Sequence, residues 1–388
     1  MKIQGRRITI AGSAAANSDE AQLQYAHDLV RELVLRLSTE GALFGVGIGK
    51  EPYLADDKAK PSIIFDWNVL ETLGAELKKD AYKATSAQGK LISLVTTDKT
   101  SLQIPAHRQA LWNELLKLNC VHIRSTESGW ASGALRRQMQ AELGDVLIAV
   151  SGGEGVEHLA KEFALQGKPV IPVNLQLGSS GGDGTGGSAK LYSQMKAHPE
   201  RFARFEDLSA AGSLLASMDA CQGTAKILDV VEGIISLLKG FKPPRAFFVR
   251  LLNASVPDFN DVEAYFKNVV VPLVTEYGYE PVQMGKAKSE HAWMEVEIFE
   301  MLYNAATVVV DLTGLRHNCF TEMGYAFGRA RKVIVTAKHG TVIPFDTGTY
   351  EAVMWNPANS AADNIAQLKD YWQRNISRPP LVVPKSIL

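Results

Sequence analysis

Apolar and polar residues alternate along the first half of the chain in two different periods. Short continuous apolar runs predict strands that are buried on both faces, and longer segments whose leucines recur every three or four positions predict amphipathic helices. Strands that alternate with helices indicate a parallel sheet covered by helices on both faces, which is an α/β fold. The predicted strands cover residues 7–11, 91–96, 120–124, 145–150 and 169–173.

The helical segments between these strands have recognisable ends. Residues 20–38 place Leu23, Leu29, Leu33 and Leu37 on one side of a helix, and Gly41 follows as a C-terminal glycine. Further helices are predicted over residues 133–143, 156–166 and 224–238. Residues 48–90 have no clear period, and we expect a helix-rich insertion there. Residues 178–187, with the sequence GSSGGDGTGG, contain too much glycine to pack and predict a surface loop.

A second alternation begins after residues 240–244, whose sequence GFKPP breaks the pattern as a linker would. The sequence predicts two Rossmann-like domains with parallel sheets flanked by helices, over residues 1–239 and 245–376, and an extended tail over residues 377–388. In the second domain, strands are predicted over residues 246–249, 305–311 and 332–337, and helices over residues 258–277, 290–304, 320–329 and 361–374.

Composition narrows the classes of function. Lysine and arginine total 41 and aspartate and glutamate 42, a net charge of −1, which argues against a nucleic-acid-binding protein. Cys120, Cys221 and Cys319 have no metal-ligand spacing and suit a reducing compartment. The N-terminus lacks a signal-peptide core, and no apolar run reaches the ~18 residues of a membrane span. We therefore expect a cytoplasmic protein that holds no metal or cofactor and binds neither nucleic acid nor membrane.

Three glycine- and serine-rich segments follow predicted strands in the first half. Ligands of parallel α/β sheets bind beyond the carboxyl ends of the strands, where glycine lets the backbone approach a phosphate and helix N-termini offer free N–H groups. Arg136 and Arg137 lie just upstream and could neutralise the charge. Ordinary tight turns are the alternative. The predicted ligand-binding residues are Gly12, Ser13, Arg136, Gly152, Gly153, Gly155, Gly186, Gly187 and Ser188.

The run DVLIAVSGGEGVEHLAKEFALQGKPVIPV resembles the SLOG superfamily, which includes the cytokinin-activating phosphoribohydrolases and the ligand-sensing domains of anti-phage effectors. ITIAGSA near the start and GTGGSAKLY after the last strand are similar too, so the resemblance covers residues 7–239. The enzymatic branch carries GGxGTxxE, but Val156 and Leu159 stand in the threonine and glutamate places. The resemblance therefore implies a domain that binds a nucleotide-like ligand, such as a cyclic nucleotide or an ADP-ribose derivative, without cleaving it.

In the second half, carboxylates follow the clearest predicted strand, AATVVVD. Asp311 ends this strand, Asn318 is predicted to cap the next helix, and Glu322 then falls in the first helical turn. Asp311 and Glu322 are expected to face one crevice. The alternatives without a function are that Asp311 only caps its turn and that Glu322 only interacts favourably with the helix dipole. Carboxylates can stabilise the oxocarbenium-like transition state of N-glycosidic cleavage. Single histidines such as His291 and His317 are more often structural.

The run NAATVVVDLTGLRHNCFTEMGYAFGRARKVIV resembles the superfamily of nucleoside 2-deoxyribosyltransferase-like and TIR-like nucleotide-binding domains. Its pattern of Asp-x-Thr, Asn and Glu-x-Gly-x-Ala is matched by Asp311, Thr313, Asn318, Glu322, Gly324 and Ala326. The resemblance implies that Glu322 is catalytic, with Asp311 and Asn318 beside it, and that the substrate is a nucleoside, a nucleotide or NAD. It also implies substrate contacts from Phe248, Arg250, Thr313 and Asp346, although Arg250 departs from the family pattern.

Together the two resemblances suggest a two-part switch similar to bacterial anti-phage effectors that deplete NAD. The first domain would sense a nucleotide signal, and the second would cleave NAD or a related nucleotide at its N-glycosidic bond. A homo-oligomer is expected, because TIR-like sites are often completed by a neighbouring copy. The alternatives are a constitutive deoxyribosyltransferase or N-hydrolase, and a non-enzymatic nucleotide-binding scaffold.

Overall fold

The computed structural model describes residues 1–79, 91–99, 104–118, 120–178, 187–217, 219, 223–283, 294–344 and 351–376. The chain divides into two compact units, the first formed by Met1–Lys242 and the second beginning at Pro243. Each unit is built on a parallel sheet with helices packed against it. The predicted class, α/β with two Rossmann-like domains, is confirmed.

The sheet of unit 1 has six parallel strands in the order β4-β3-β2-β1-β5-β6. Five of the six strands lie where the apolar runs predict them, within two residues at each end. Their bounds are β1 (Arg7–Ser13), β2 (Leu43–Gly47), β3 (Ile92–Thr97), β4 (Val121–Thr126), β5 (Val146–Ser151) and β6 (Val170–Val173).

The helices of unit 1 cover both faces of this sheet. Helix α1 packs on α2 and α8, whereas α4 packs on α5. The helix α1 begins where the Asp19 carboxylate accepts a hydrogen bond from the amide of Gln22, and Leu23, Leu29, Leu33 and Leu37 are fully buried, as their spacing predicts. The bounds are α1 (Glu20–Thr39), α2 (Asp66–Glu76), α3 (Gln109–Lys117), α4 (Ser132–Leu143), α5 (Glu154–Leu165), α6 (Ser188–Ala197), α7 (Leu208–Ser217) and α8 (Ile227–Lys239).

Strand β2 is absent from the sequence-based prediction. Its sequence LFGVG contains two glycines, which weaken a strand and hide its pattern. The structure explains them: a Cβ on Gly45 would lie 2.7 Å from the Thr9 hydroxyl, and one on Gly47 would lie 2.6 Å from the Gln140 amide nitrogen. The glycines let neighbouring side chains approach the backbone of β2. The helix-rich insertion expected over residues 48–90 contains the helix α2. Residues 80–90 of this region lie outside the described residues.

The strand order of unit 1 creates a switch point between β1 and β5. From β1 the chain builds β2, β3 and β4 on one side and then crosses to build β5 and β6 on the other. The carboxyl ends of β1 and β5 meet there, with Ser13 paired to Ser151. Ligands of open parallel sheets bind in the crevice outside such a switch point. Gly12 and Ser13 belong to β1 itself, which continues two residues beyond the predicted strand.

The sheet of unit 2 has five parallel strands in the order β11-β10-β9-β7-β8. This is a doubly wound order whose switch point lies between β7 and β9. The two short outer strands, β8 and β11, are absent from the sequence-based prediction. The bounds are β7 (Arg245–Val249), β8 (Glu280–Gln283), β9 (Thr307–Asp311), β10 (Lys332–Lys338) and β11 (Val353–Trp355).

The helix predicted over residues 258–277 is a single run with a π-helical segment in its middle, Phe266–Val270. On one face of the sheet, Tyr265 stacks on Trp355 with ring centroids 4.4 Å apart. The remaining predicted helices of unit 2 are confirmed within three residues at each described end. The bounds are α9 (Phe259–Tyr265), α10 (Val271–Glu276), α11 (Met294–Asn304), α12 (His317–Gly328) and α13 (Ala361–Asn375).

Replacement of Gly12 by alanine should destabilise unit 1. The new Cβ would lie 1.7 Å from the carbonyl oxygen of Val150, a backbone atom that cannot move without breaking the β1–β5 pairing. We expect a loss of about 3 kcal/mol in the free energy of unfolding, measured by denaturant titration. Gly212→Ala is the control, because its Cβ meets open space on α7. Equal stability of both variants would contradict the close approach.

Candidate functional site

Asp311 ends β9 at the switch point of unit 2 and is fully buried. One carboxylate oxygen accepts a hydrogen bond from the Thr313 amide at 3.1 Å. The other accepts from the Thr336 hydroxyl and the Trp355 indole, each at 2.8 Å. Burial raises the pKa of Asp311 above its ordinary value, and these bonds oppose the rise. Asp311 therefore joins β9, β10 and β11 and fixes the start of the loop that follows β9.

This loop turns into α12 earlier than the sequence predicts. Gly314 and Leu315 have positive φ angles of 74° and 49°, and Arg316 is the residue before the first helical turn. The prediction that Asn318 caps the helix is wrong, because the turn at Gly314 and Leu315 starts α12 at His317 and leaves Asn318 inside it. The Asn318 side chain is exposed.

Glu322 is partly exposed and lies in the second turn of α12, not in the first turn as predicted, because the helix begins at His317. Burial of its carboxyl group raises the pKa to about 7. Within the described part of the chain, no hydrogen bond or ion pair reaches this carboxylate. The thiol of Cys319 is buried beside it: desolvation raises the pKa of Cys319 to about 12, and the negative charges of Glu322 and Asp311 add to the rise. The prediction that the two carboxylates face one crevice is not met. Asp311 is fully buried and both of its oxygens accept hydrogen bonds, so its assignment as a catalytic residue is corrected to a structural one.

Two other predicted substrate contacts of unit 2 are buried in the core or in the loop, where they cannot touch a ligand. Phe248 is 2% exposed and packs edge-to-face on Phe266, so its assignment as a substrate contact is corrected to a core residue. Thr313 is also buried, and its hydroxyl accepts the Lys338 amide at 2.9 Å. It holds the loop on β10 and does not face a ligand. Asp346 lies outside the described residues.

Arg250 follows β7 at the same switch point, with its side chain 4% exposed. The guanidinium lies 2.6 Å from Glu263, donates to the Gln283 side chain at 3.1 Å, and stands over the ring of Phe266. Its Nε has no hydrogen-bond partner among the residues that the structure describes. Arg250 therefore contributes a positive charge at the end of β7 that is paired with Glu263, and its assignment as a substrate contact stays a prediction.

In unit 1, the loop after β5 is tightly built. Ser151 has a positive φ of 56° and Gly152 one of 82°. The amide of Ser151 donates to the Ser188 hydroxyl, which in turn donates to the carbonyl of Val173, both at 2.6 Å. Ser188 is fully buried. Its assignment as a ligand contact is therefore corrected: its hydroxyl holds the β5 and β6 loops together.

Gly187 has a similar packing role. A Cβ there would lie 1.8 Å from the carbonyl oxygen of Gly152, and the Gly187 amide donates to Glu157 at 3.0 Å. Glu157 also binds Lys190 at 2.7 Å, and Leu159 belongs to the core. The carboxylate of Glu157 is therefore already paired, and the leucine at position 159 has no carboxylate to offer. Gly186 lies outside the described residues.

The start of α5 is exposed at Gly155, whereas Gly153 is buried. Gly153 precedes the first helical residue, and Gly155 lies in the first turn. Arg137 passes 3.7 Å from the Cβ position of Gly155 and donates to His158 at 3.0 Å. Arg136, the preceding residue of α4, donates to the carbonyl of Ile48, beyond the end of β2, at 3.3 Å. The two arginines thus place positive charge beyond the end of β2 and beside the start of α5, and their assignment to a ligand site stays a prediction.

Asp66 is a residue that the sequence analysis missed. It is the first residue of α2, close to Arg136. Burial raises the pKa of Asp66 to about 7, although the charge of Arg136 opposes the rise. The only sequence signal was an acid directly after the apolar run SIIF, inside a region without a recognisable period.

A groove of about 540 Å³ lies elsewhere in unit 1, between α5 and α6. Its lining includes Lys161, Gln194 and Phe202, and it reaches Val170 at the amino end of β6. None of the predicted ligand residues lines it, so it is separate from the switch-point crevice. Over the described ranges, no group of three or more His, Cys, Asp or Glu side chains is placed to hold a metal ion. No helix described here has both the length and the apolar character that a membrane crossing requires.

Comparison with known families identifies the family to which unit 1 is related. The family described as ATP nucleosidase Cap17-like, N-terminal, matches residues 3–238. The chain belongs to this family. Two curated Cap17-like relatives are the ATP nucleosidases Cap17 of Escherichia coli (strain KTE188) and of Escherichia coli. Each is 21% identical over 197 residues, which cover 50% of this chain and 36% of the relative. The match thus spans about a third of the relatives' length.

A solved structure of a putative UDP-N-acetylglucosamine 2-epimerase from Listeria monocytogenes is 9% identical and covers 98% of this chain and 92% of its own. Its TM-score of 0.25 is too low to indicate a shared fold. The Cap17-like family match ends before unit 2 begins, so Glu322 lies outside it. The SLOG-like resemblance of unit 1 and the TIR-like resemblance of unit 2 stay predictions.

The raised pKa of Glu322 predicts how its replacement affects stability. The pKa near 7 in the folded state lies above the ordinary value of 4.5, so folding favours the protonated form. The resulting stabilisation is full below pH 4.5 and is lost as the pH rises through about 7. Glu322→Gln removes the buried charge, and we expect it to stabilise the protein at pH 8 by ~1–3 kcal/mol more than at pH 4.5, after allowance for partial exposure.

Denaturant titrations of this variant at the two pH values measure the difference. Glu300→Gln, at an exposed position of α11, is the matched control and should show little pH dependence. A Glu322→Gln variant with the same stability difference from the parent protein at both pH values would contradict the desolvation of this carboxyl group.

Proposed function

We propose that unit 2 cleaves the N-glycosidic bond of a nucleotide at Glu322 and that unit 1 recognises a nucleotide-derived ligand. The observation that supports this best is the state of Glu322. Its carboxyl group is desolvated on α12, the helix that follows β9, with a pKa near 7 and no partner among the described residues. A desolvated carboxylate gains most when positive charge develops beside it, as it does at an anomeric carbon.

The reaction can be written with these groups. The bond between the base and the anomeric carbon breaks, and the electron pair leaves with the base. Ionised Glu322 stabilises the positive charge that develops on the sugar, in the manner of a glycosidase carboxylate. Water then adds to the anomeric carbon and loses its proton to solvent. Adenine leaving ATP takes up a proton from solvent, whereas nicotinamide leaves NAD already neutral, so that reaction releases one proton. Asp311 keeps the loop and α12 in position, and Arg250 provides positive charge on the other side of the switch point.

The substrate class follows from two sources. The relatives' name, ATP nucleosidase, makes ATP one candidate, and the TIR-like resemblance of unit 2 makes NAD the other. Both contain an N-glycosidic bond next to a phosphorylated ribose. Cleavage of either would deplete a central nucleotide, which suits the anti-phage effector that the resemblances suggest. We further propose that ligand binding to unit 1 activates unit 2, through binding free energy that differs between inactive and active arrangements.

Two other functions remain as alternatives to be separated by experiment. A constitutive deoxyribosyltransferase would exchange bases without any signal. A nucleotide-binding scaffold would bind ATP or NAD tightly without turnover. The activated hydrolase instead should release free base only when the ligand of unit 1 is present.

Glu322→Gln should lower the turnover of ATP or NAD at least about 100-fold, because the neutral amide cannot stabilise the developing cation. The measurement is free base released per protein, quantified by liquid chromatography, with extracts of phage-infected cells as the source of activating ligand. Glu300→Gln is the control and should keep the parent rate. Full activity of Glu322→Gln would remove Glu322 from the mechanism.

A further inference from the structure

The segment before α2 crosses the switch point of unit 1. Ile64 forms an antiparallel bridge with Ser13, and the amide of Ala14 donates to the carbonyl of Ile63 at 2.7 Å. The ring of Phe65 lies 3.3 Å from the Cβ position of Gly12. These contacts hold residues 63–65 against the carboxyl end of β1. Asp66, the next residue, therefore begins α2 beside the crevice.

Arg136 approaches this carboxylate from the helix layer on the other face of the sheet. Its guanidinium donates to the carbonyl of Ile48 and passes 3.6 Å from the Cβ position of Gly49. The Nε of Arg136 is buried without a hydrogen-bond partner in the described part of unit 1. The Asp66 carboxylate likewise accepts no hydrogen bond from any described residue. Both groups retain unused hydrogen-bonding capacity at the same edge of the sheet.

An ordinary helix-start role explains Asp66 poorly. In α1 and α13 the side chains of Asp19 and Ser360 cap the helix by accepting backbone amides. In α2 the residue before the first turn is Phe65, and no side-chain cap is formed. Interaction with the helix dipole is typically worth up to about 1 kcal/mol at a surface. That gain is smaller than the cost implied by a carboxyl pKa raised to about 7. A ligand that donates hydrogen bonds to this carboxylate would compensate the cost.

The surrounding groups select the ligand. Arg136, Arg137 and the first turn of α5 attract phosphate, as helix N-termini and guanidinium groups do. Of the acids on α5, Glu157 pairs with Lys190 and Glu162 with His158, and Glu154 is exposed in the first turn. An unpaired carboxylate beside a phosphate-binding region suits the hydroxyl pair of a ribose, as in dinucleotide-binding sheets. Inorganic phosphate alone offers no such donors.

We propose that Asp66 accepts the ribose hydroxyls of a nucleotide whose phosphates lie on Arg136, Arg137 and the start of α5. This inference rests on the proposed recognition of a nucleotide by unit 1 and names the residue that selects a nucleotide over a simple polyphosphate. Asp66 thereby acts as a specificity-determining residue next to the segment that is held against the end of β1.

The test uses the full chain with Glu322→Gln, which prevents turnover, and two probes, ATP and tripolyphosphate. Hydrogen exchange of the peptides covering residues 62–76 and 151–158 reports binding to unit 1 separately from unit 2. We expect Asp66→Asn to raise the ATP concentration needed for half-maximal protection at least 10-fold. The tripolyphosphate concentration needed for half-maximal protection should change less than twofold. Arg136→Gln should weaken protection by both probes.

Glu76→Gln, in the last turn of the same helix, is the matched control and should leave both probes unchanged. The thermal unfolding of Asp66→Asn should show a folded unit 1, because the amide removes a desolvated charge. ATP protection that is unchanged in Asp66→Asn, or equally weakened for both probes, overturns the proposal. So does an absence of ATP protection over residues 62–76 in the Glu322→Gln parent. These outcomes leave the turnover test of Glu322 untouched, so the two proposals fail separately.

Discussion

A parallel sheet opens a crevice at its carboxyl edge only where adjacent strands send the chain to opposite faces, and this constraint positions the candidate groups of both units. In unit 1 the crevice lies between β1 and β5, where Ser13 pairs with Ser151. In unit 2 it lies between β7 and β9, which end at Val249 and Asp311. The polar residues that follow these strands are brought together by topology alone.

Desolvation then distinguishes the carboxylates at these edges. Asp311 is buried but receives three hydrogen bonds, so it serves the architecture of the loop. Glu322 and Asp66 each have a pKa near 7 and no hydrogen bond within the described residues. A protein gains nothing in stability from such groups, and desolvated carboxylates are characteristic of functional sites. One lies in each unit, which suits a protein that recognises a nucleotide in one place and cleaves it in another.

The sequence predicts much of the fold, because buried parallel strands form apolar runs such as that of β9. It fails where packing overrides local pattern: the glycines of β2 make room for Thr9 and Gln140. Of the candidate site, the sequence singles out Glu322 and Arg136, whose roles stay predictions, but mistakes Ser188, whose hydroxyl is bonded to backbone groups. Asp66 could not be found, because its significance comes from an arginine distant in sequence and from the bridge between Ser13 and Ile64.

The central claim is attack by water at the anomeric carbon of a nucleotide. The most direct measurement is the reaction of ATP and of NAD in ¹⁸O-labelled water, with rapid borohydride reduction of the sugar product and mass spectrometry of each fragment. The account predicts free base and one ¹⁸O in the reduced ribose fragment, with the phosphates unlabelled. Label in phosphate would show that a phosphoryl bond is cleaved, and transfer of the sugar to another base without label would show a transferase; either result would contradict the account.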